Sequence, residues 1–261
     1  MMNKNATISL VIIAYNEEKK IARCIESAKK IADEIIVVDS FSTDQTVLIA
    51  ETLGAIVIQH KFEGHIEQKN YAAEKAQCDY VLSLDADEAL DEVLQNELLK
   101  VKERPTFDAY KMNRVTNFCG KWIWHGGWYP DTKLRLWKNK KGAWTGNNPH
   151  DKFLLFDKNA TVKKLNGNIL HYSFDTIEDY KRQTNSFVKI SANELFKNNK
   201  KNYWTGMYLN SVWKFIRFYF LKMGFLDGQA GWYIATSTAA ATYQKYFLLK
   251  KLIQQKNENS I

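Results

Sequence analysis

Short apolar runs alternate with polar-faced stretches through the first hundred residues. Ile8 to Tyr15 reads as a strand, and Glu34 to Asp39, Ala55 to Gln59 and Tyr80 to Leu84 read as three more. Runs that are apolar without alternation suit strands of a parallel sheet covered on both faces. Helical patterns lie between them. Asn16 reads as the N-cap of a helix over Glu17 to Lys29, and Ser42-Thr43-Asp44 opens one that runs through Leu53 and stops at Gly54. Ile66 to Ala76 and Leu90 to Val101 read as two further helices. This βαβαβαβ order predicts an α/β protein with a doubly wound, mostly parallel sheet. After Pro105 the pattern changes. Ala109 to Val115 and Lys133 to Trp137 read as strands, separated by a loop from Trp122 to Pro130 that is crowded with aromatic rings and glycine. From Ile177 onward the chain reads helical. The expected organisation is one α/β domain over residues 1–176 and a helical C-terminal extension over 177–261.

Composition narrows the class. At 261 residues, 45% hydrophobic and 13% aromatic, the chain has ample core for a globular fold. No run of 18 apolar residues occurs, so no transmembrane helix is expected. The opening segment runs from Lys4 through a short apolar stretch into Tyr15-Asn16-Glu17-Glu18, unlike a secretory signal. Cys24, Cys78 and Cys119 are odd in number and widely spaced. They suggest neither a disulfide framework nor a zinc site and fit a cytoplasmic location.

Charge is unevenly placed. Residues 1–100 carry 10 basic and 18 acidic side chains, and residues 101–261 carry 27 and 11. A basic half points to an anionic partner: a membrane surface, a phosphorylated substrate or nucleic acid. No nucleic-acid-binding motif accompanies the charge, so nucleic acid is set aside. Residues 181–256 hold 13 Lys or Arg against Glu194 and Asp227. Within them, Tyr203 to Leu226 interleaves aromatic and aliphatic residues with Lys214, Arg217 and Lys222. That pattern suits an interfacial helix on anionic lipid, a homodimer contact, or a helix covering its own sheet.

The chemistry concentrates at Val81-Leu82-Ser83-Leu84-Asp85-Ala86-Asp87-Glu88. A buried strand ends there in two carboxylates one residue apart, and open parallel sheets bind ligands beyond the carboxyl ends of their strands. Crowded carboxylates repel unless a cation is shared. Mg²⁺ or Mn²⁺, bound together with a substrate diphosphate, is the usual solution. The alternative is an acidic helix N-terminus. The other strand ends favour a site: strand one delivers Tyr15 and Glu17, and strand two delivers Asp39, Ser42 and Asp44 to the same edge. Neither a GxGxxG fingerprint nor a GKS/GKT P-loop is present, so a nucleotide would be held another way. His171, after an apolar stretch, either completes a metal shell or serves as a structural hydrogen-bonding group.

The segments ISLVIIAYNEEKKIARCIES, DEIIVVDSFSTDQTVLIA, EQKNYAAEKA and YVLSLDADEAL resemble the family 2 glycosyltransferases in order and spacing. YKMNRVTNFCGKWIWHGGWYPDTKLRLW, HYSFDTIEDY and FYFLKMGFLDGQAGW look like the lipopolysaccharide inner-core β-1,4-glucosyltransferase subgroup, the whole resemblance covering about residues 7–247. It implies a glycosyltransferase A-type (nucleotide-diphospho-sugar transferase) sandwich. It also implies inverting, metal-dependent transfer of a hexose, glucose from a UDP-sugar donor, to a lipid-linked saccharide acceptor such as lipopolysaccharide core heptose. By resemblance, Asp39 accepts the uracil imide N–H, Tyr15 and Glu17 lie near base and ribose, and Lys69 lies near base or diphosphate. Asp85 lies near ribose and metal, and Asp87 binds the Mg²⁺ or Mn²⁺ that assists the leaving UDP. The general base of the wider family falls at Asp151, on a helix or loop after the acceptor-side strands. The subgroup more often shows His-Glu where this chain has His150-Asp151. Asp108, Asp131 and Asp157 are the rival acids, and Asp131, His125 and His150 are candidates for the acceptor side. The location implied is peripheral, on the inner face of the cytoplasmic membrane. Two other readings compete. A nucleotidyltransferase would want a Gly-rich basic loop after strand one, where this chain is acidic, and a non-catalytic binding module would not need the full carboxylate set.

Overall fold

The first strand is apolar along nearly all its length because both of its faces are covered. In the computed structural model, which describes residues 5–147 and 150–258, β1 (Ile8–Ala14) is almost wholly buried. Ile8, Leu10 and Ile12 face one core, shared with Ile25 of α1 (Ile21–Ala28), while Val11 faces a second. β1 pairs in parallel with β2 (Glu34–Asp39), Ala14 lying opposite Asp39. α2 (Thr46–Thr52) then leads to β3 (Ile56–Gln59), parallel to β2. α3 (His65–Lys75) returns the chain to β4 (Tyr80–Asp85), which pairs in parallel with the other side of β1. The register puts the ends of β1, β2 and β4 at one edge.

Beyond β4 the strands reverse. β5 (Glu88–Leu90) and α4 (Glu92–Glu103) precede β6 (Ala109–Phe118), β7 (Lys121–Ile123) and β8 (Asp131–Lys138). β9 (Gly142–Asn147) and β10 (His150–Leu155) form a separate antiparallel pair, and β11 (Val162–Phe174) follows. The sheet order is β3-β2-β1-β4-β8-β6-β11-β5, with β7 beside β6. β8 runs antiparallel to β4 and β5 antiparallel to β11, so the sheet is mixed, with a parallel half built by the alternating elements.

Two expectations change. The first helix starts at Ile21 rather than Glu17, and Asn16 does not cap it. Asn16 sits at φ 54 and its side chain accepts from Thr43 N at 2.9 Å, tying the first strand end to the second. The second change is the set of strands between Gly142 and Phe174, which break their apolar patterns with lysine, asparagine and glycine and so give a weak periodic signal.

The chain groups into two compact units, Met1–Val115 with Asp131–Tyr172, and Thr116–Pro130 with Ser173–Ile261. The aromatic loop therefore groups with the C-terminal helices. In that second unit α5 (Ile177–Lys197) starts at a capping box made by Thr176 and Asp179. A helical run over 204–221 follows, with α6 (Ser211–Ile216) between two π-helical turns, and α7 (Gly228–Glu258) closes the fold. Phe118, Ile123, Phe174, Tyr180 and Ile234 form this unit's core. Among the described residues, no helix is long and apolar enough to cross a membrane.

Candidate functional site

The loops leaving the parallel strands are sewn together by side chains. Asp39 is fully buried at the end of β2. Ser42 donates to it twice, from its backbone N at 2.8 Å and from its hydroxyl, and the same hydroxyl accepts from Asn16 N at 2.8 Å. Gln68 of α3 donates to Ser40 Oγ at 3.0 Å and meets His60 Nδ1 at 2.9 Å, bringing in the turn after β3. Tyr15 is exposed, and the backbone N of half-buried Glu17 donates to Thr46 Oγ1 at 2.8 Å. Asp39 therefore pins the turn that follows β2.

Asp85, at the tip of β4, sits between two cations. Lys69 Nζ lies 3.0 Å from its Oδ1, and Arg135 Nη2 donates to its Oδ2 at 3.0 Å. Lys69 also donates to Asp151 Oδ2 at 2.9 Å. The predicted donor-side lysine and the predicted base thus meet around Asp85. Lys69 and Arg135 flank Asp85 and balance its charge. Lys69 itself is buried rather than solvated. Asp151 is on strand β10 opposite Gly146, not on a helix or loop.

Arg135 of β8 and Arg114 of β6 extend the network, and sequence reasoning passed over both. Arg135 donates to Glu88 Oε1 at 2.8 Å, Arg114 donates to the same oxygen at 3.0 Å, and Asp85 N donates to Glu88 Oε2 at 3.0 Å. The Trp144 ring covers the cations, its centroid 4.6 Å from Lys69 Nζ and 5.6 Å from the Arg135 guanidinium. Among the described residues, Arg135 Nε and Nη1 and Trp144 Nε1 are buried without a hydrogen-bond partner. Burial opposes ionisation of Asp85, but the nearby guanidinium and ammonium outweigh it and hold the carboxyl well below the usual range. Burial likewise opposes the charge on Arg135, and Glu88 and Asp85 override it, raising its pKa.

Asp131 is held by Arg114 Nη2 at 2.8 Å and Lys133 Nζ at 3.1 Å. Its pKa is lowered because those two cations overcome the effect of burial. A carboxylate so stabilised is a weak proton acceptor. His125 belongs to the second unit. There its ring lies 3.1 Å from buried Asp227, which also accepts from His125 N at 2.9 Å and Trp124 N at 3.2 Å. That histidine anchors the aromatic loop. The side chain of His150 lies outside the described residues.

Asp87 leaves the carboxylate cluster and turns to β11. Its backbone O accepts from Tyr172 N at 2.8 Å, and its Oδ2 lies 3.2 Å from His171 Nε2. The β5–β11 pairing, with His171 opposite Glu88, sets this contact. Among the described residues no cluster of three or more His, Cys, Asp and Glu side chains would cage a metal alone. Asp87 supplies one carboxylate, and Mg²⁺ or Mn²⁺ are commonly held through one or two carboxylates with phosphate oxygens and water completing the shell.

Residues 9–162 match the model of glycosyl transferase family 2, and the chain belongs to that family. Its architecture is the glycosyltransferase A-type sandwich. An uncharacterized glycosyltransferase of Rickettsia typhi is 34% identical over 94% of this chain and 87% of its own length. The lipopolysaccharide core biosynthesis glycosyltransferase LpsC of Rhizobium meliloti is 26% identical over 92% of this chain and 93% of its own. Among solved structures, glucosyl-3-phosphoglycerate synthase from Mycobacterium tuberculosis, in complex with Mn²⁺, UDP and glucosyl-3-phosphoglycerate, is 26% identical with a TM-score of 0.36. That match covers 43% of this chain, which spans 44% of that enzyme.

Proposed function

We propose that this glycosyltransferase is inverting and moves a hexose, glucose from UDP-glucose, onto a sugar of a lipid-linked glycan, with lipopolysaccharide core heptose as the acceptor. The observation that carries the reading is the meeting of Lys69, Asp85 and Asp151 at the edge where β4 ends. It joins a donor-side cation to a carboxylate on a different strand pair, as transfer between two substrates requires.

Asp39 accepts the imide N–H of uracil, a donor flanked by two carbonyls, with Tyr15 and Glu17 beside base and ribose. Lys69 faces the diphosphate and Asp85 the ribose. Asp87 and His171 would hold Mg²⁺ or Mn²⁺, and the bound ion would supply positive charge to the diphosphate of UDP. Asp151 takes the acceptor hydroxyl proton from the side opposite the leaving group. Lys69, donating to Asp151 at 2.9 Å, turns from that carboxylate to the incoming phosphate oxygens, freeing the base when the donor is in place. Asp87→Asn should abolish transfer while leaving the melting temperature unchanged. Full turnover in excess EDTA would contradict the metal assignment.

We assign donor binding and chemistry to residues 1–176 and attachment to residues 177–261. The helical run over 204–221 leaves Trp204, Leu209, Val212, Trp213, Phe220 and Leu221 exposed, with Lys214 and Arg217 among them. We read this face as peripheral attachment to the cytoplasmic leaflet, where apolar rings enter the interface and cations meet anionic headgroups. Co-sedimentation with vesicles should rise with anionic lipid content and fall with salt. Equal binding to neutral and anionic vesicles would contradict this, and concentration-dependent dimerisation that hides the face would replace it.

A further inference from the structure

The turn between β2 and α2 carries a ring that packing does not require. Phe41 sits at φ 61, in the left-handed region that glycine enters freely and bulky residues rarely adopt. Its side chain is 53% exposed, so burial does not offset the strain. The backbone has no room to relax. Before it, Ser40 N donates to Ala14 O at 2.9 Å and Ser40 Oγ accepts from Gln68 at 3.0 Å. After it, Ser42 is held by Asp39 and by Asn16. A strained conformation fixed from both sides marks a position where function, not stability, chose the residue.

A second ring leaves the neighbouring strand at the same edge. Tyr15 follows β1 and is 59% exposed. Because Ala14 pairs with Asp39, Tyr15 and Phe41 emerge from adjacent strand ends around the buried Asp39 carboxylate. Both are apolar surfaces left open where the sheet delivers its polar residues.

We propose that Phe41 is a nucleobase-stacking residue of the donor site. Its ring takes one face of the flat heterocycle of a nucleoside diphosphate, while Asp39 reads the edge. Stacking on an aromatic side chain accepts any base, because every base has a π-face. Phe41 therefore supplies affinity, and the edge contacts supply the choice of uracil. The exposed ring is explained as apolar surface that the donor covers. This inference rests on the nucleotide-sugar reading above.

The test is Phe41→Gly, with Phe41→Trp beside it. Removing the side chain relieves the strained φ, so Phe41→Gly should melt no lower than the parent. Its affinity for UDP by calorimetry should fall roughly tenfold, about 1.4 kcal/mol. Affinity for pyrophosphate with Mn²⁺ should be unchanged, and Phe41→Trp should bind UDP at least as well as the parent. UDP affinity in Phe41→Gly within about twofold of the parent would overturn the assignment. An equal loss for pyrophosphate would also overturn it, by showing that the residue only shapes the loop. If the parent ignores UDP but binds GDP, with the same dependence on Phe41, stacking stands and the uridine reading falls.

Discussion

Asp151→Asn is expected to lower sugar transfer by roughly 10²–10⁴-fold, the usual worth of a general base, while leaving UDP-sugar affinity nearly unchanged. The substitution keeps the shape of the site. An asparagine carbonyl still accepts from Lys69, which retains its ion pair with Asp85 at 3.0 Å. What is lost is an oxygen that can take a proton. Two of the rival acids are held by cations and hydrogen bonds. Asp131 is stabilised as the anion by Arg114 and Lys133. Asp108 is bound by Lys138 at 2.8 Å and by Thr161, and those hydrogen bonds depress its pKa strongly. Steady-state kinetics with saturating donor is the measurement. Near-normal turnover in Asp151→Asn, with turnover abolished in a folded Asp131→Asn, would transfer the role to Asp131.

Arg135→Met is expected to destabilise the protein by up to about 3–5 kcal/mol, the cost of breaking a buried ion pair, because it leaves Asp85 with Lys69 and Glu88 with Arg114, and to lower the melting temperature by roughly 10 °C. Asp85 and Glu88 both rely on its Nη2, at 3.0 and 2.8 Å. Methionine fills similar volume, so lost charge dominates over a cavity. The effect carries a pH signature. Asp85 has a depressed pKa in the fold, so its contribution to stability is present above its unfolded value of about 3.9 and is lost as pH falls through the folded value. The gap between wild type and variant should therefore be widest at neutral pH and narrow below about pH 4. A melting temperature for the variant within about 2 °C of wild type at neutral pH would show that the guanidinium is not needed to keep the cluster folded.

Strands β1, β2 and β4 were legible in the sequence because strands covered on both faces must be apolar along their length, and the short apolar run of edge strand β3 was legible although it is only half-covered. Polar residues at their ends then stand out, which is why Asp39, Asp85 and Asp87 are readable. The division of work between Asp85 and Asp87 was not readable, because it depends on cations from elsewhere in the chain. Arg135 lies between Leu134 and Leu136, and Arg114 between Asn113 and Val115. A cation on the inward phase of a strand pattern is a signal that would have found Arg135. Asn16 misled because an asparagine after a strand resembles a helix cap, and only the adjacent loop shows that its partner is Thr43. The anchoring of His125 depends on Asp227, 102 residues away, and no local pattern reports such a partner. The Lys69–Asp151 contact spans 82 residues and is equally silent in sequence, although each member was identified separately.

The central claim is that the edge formed by β1, β2 and β4 binds a uridine diphosphate sugar together with a divalent cation. Calorimetric titration of UDP into the wild-type protein, in Mn²⁺ and again in excess EDTA, tests it most directly. The account predicts saturable one-to-one binding with the metal present and much weaker binding without it. No UDP binding, or an affinity indifferent to EDTA, would contradict it.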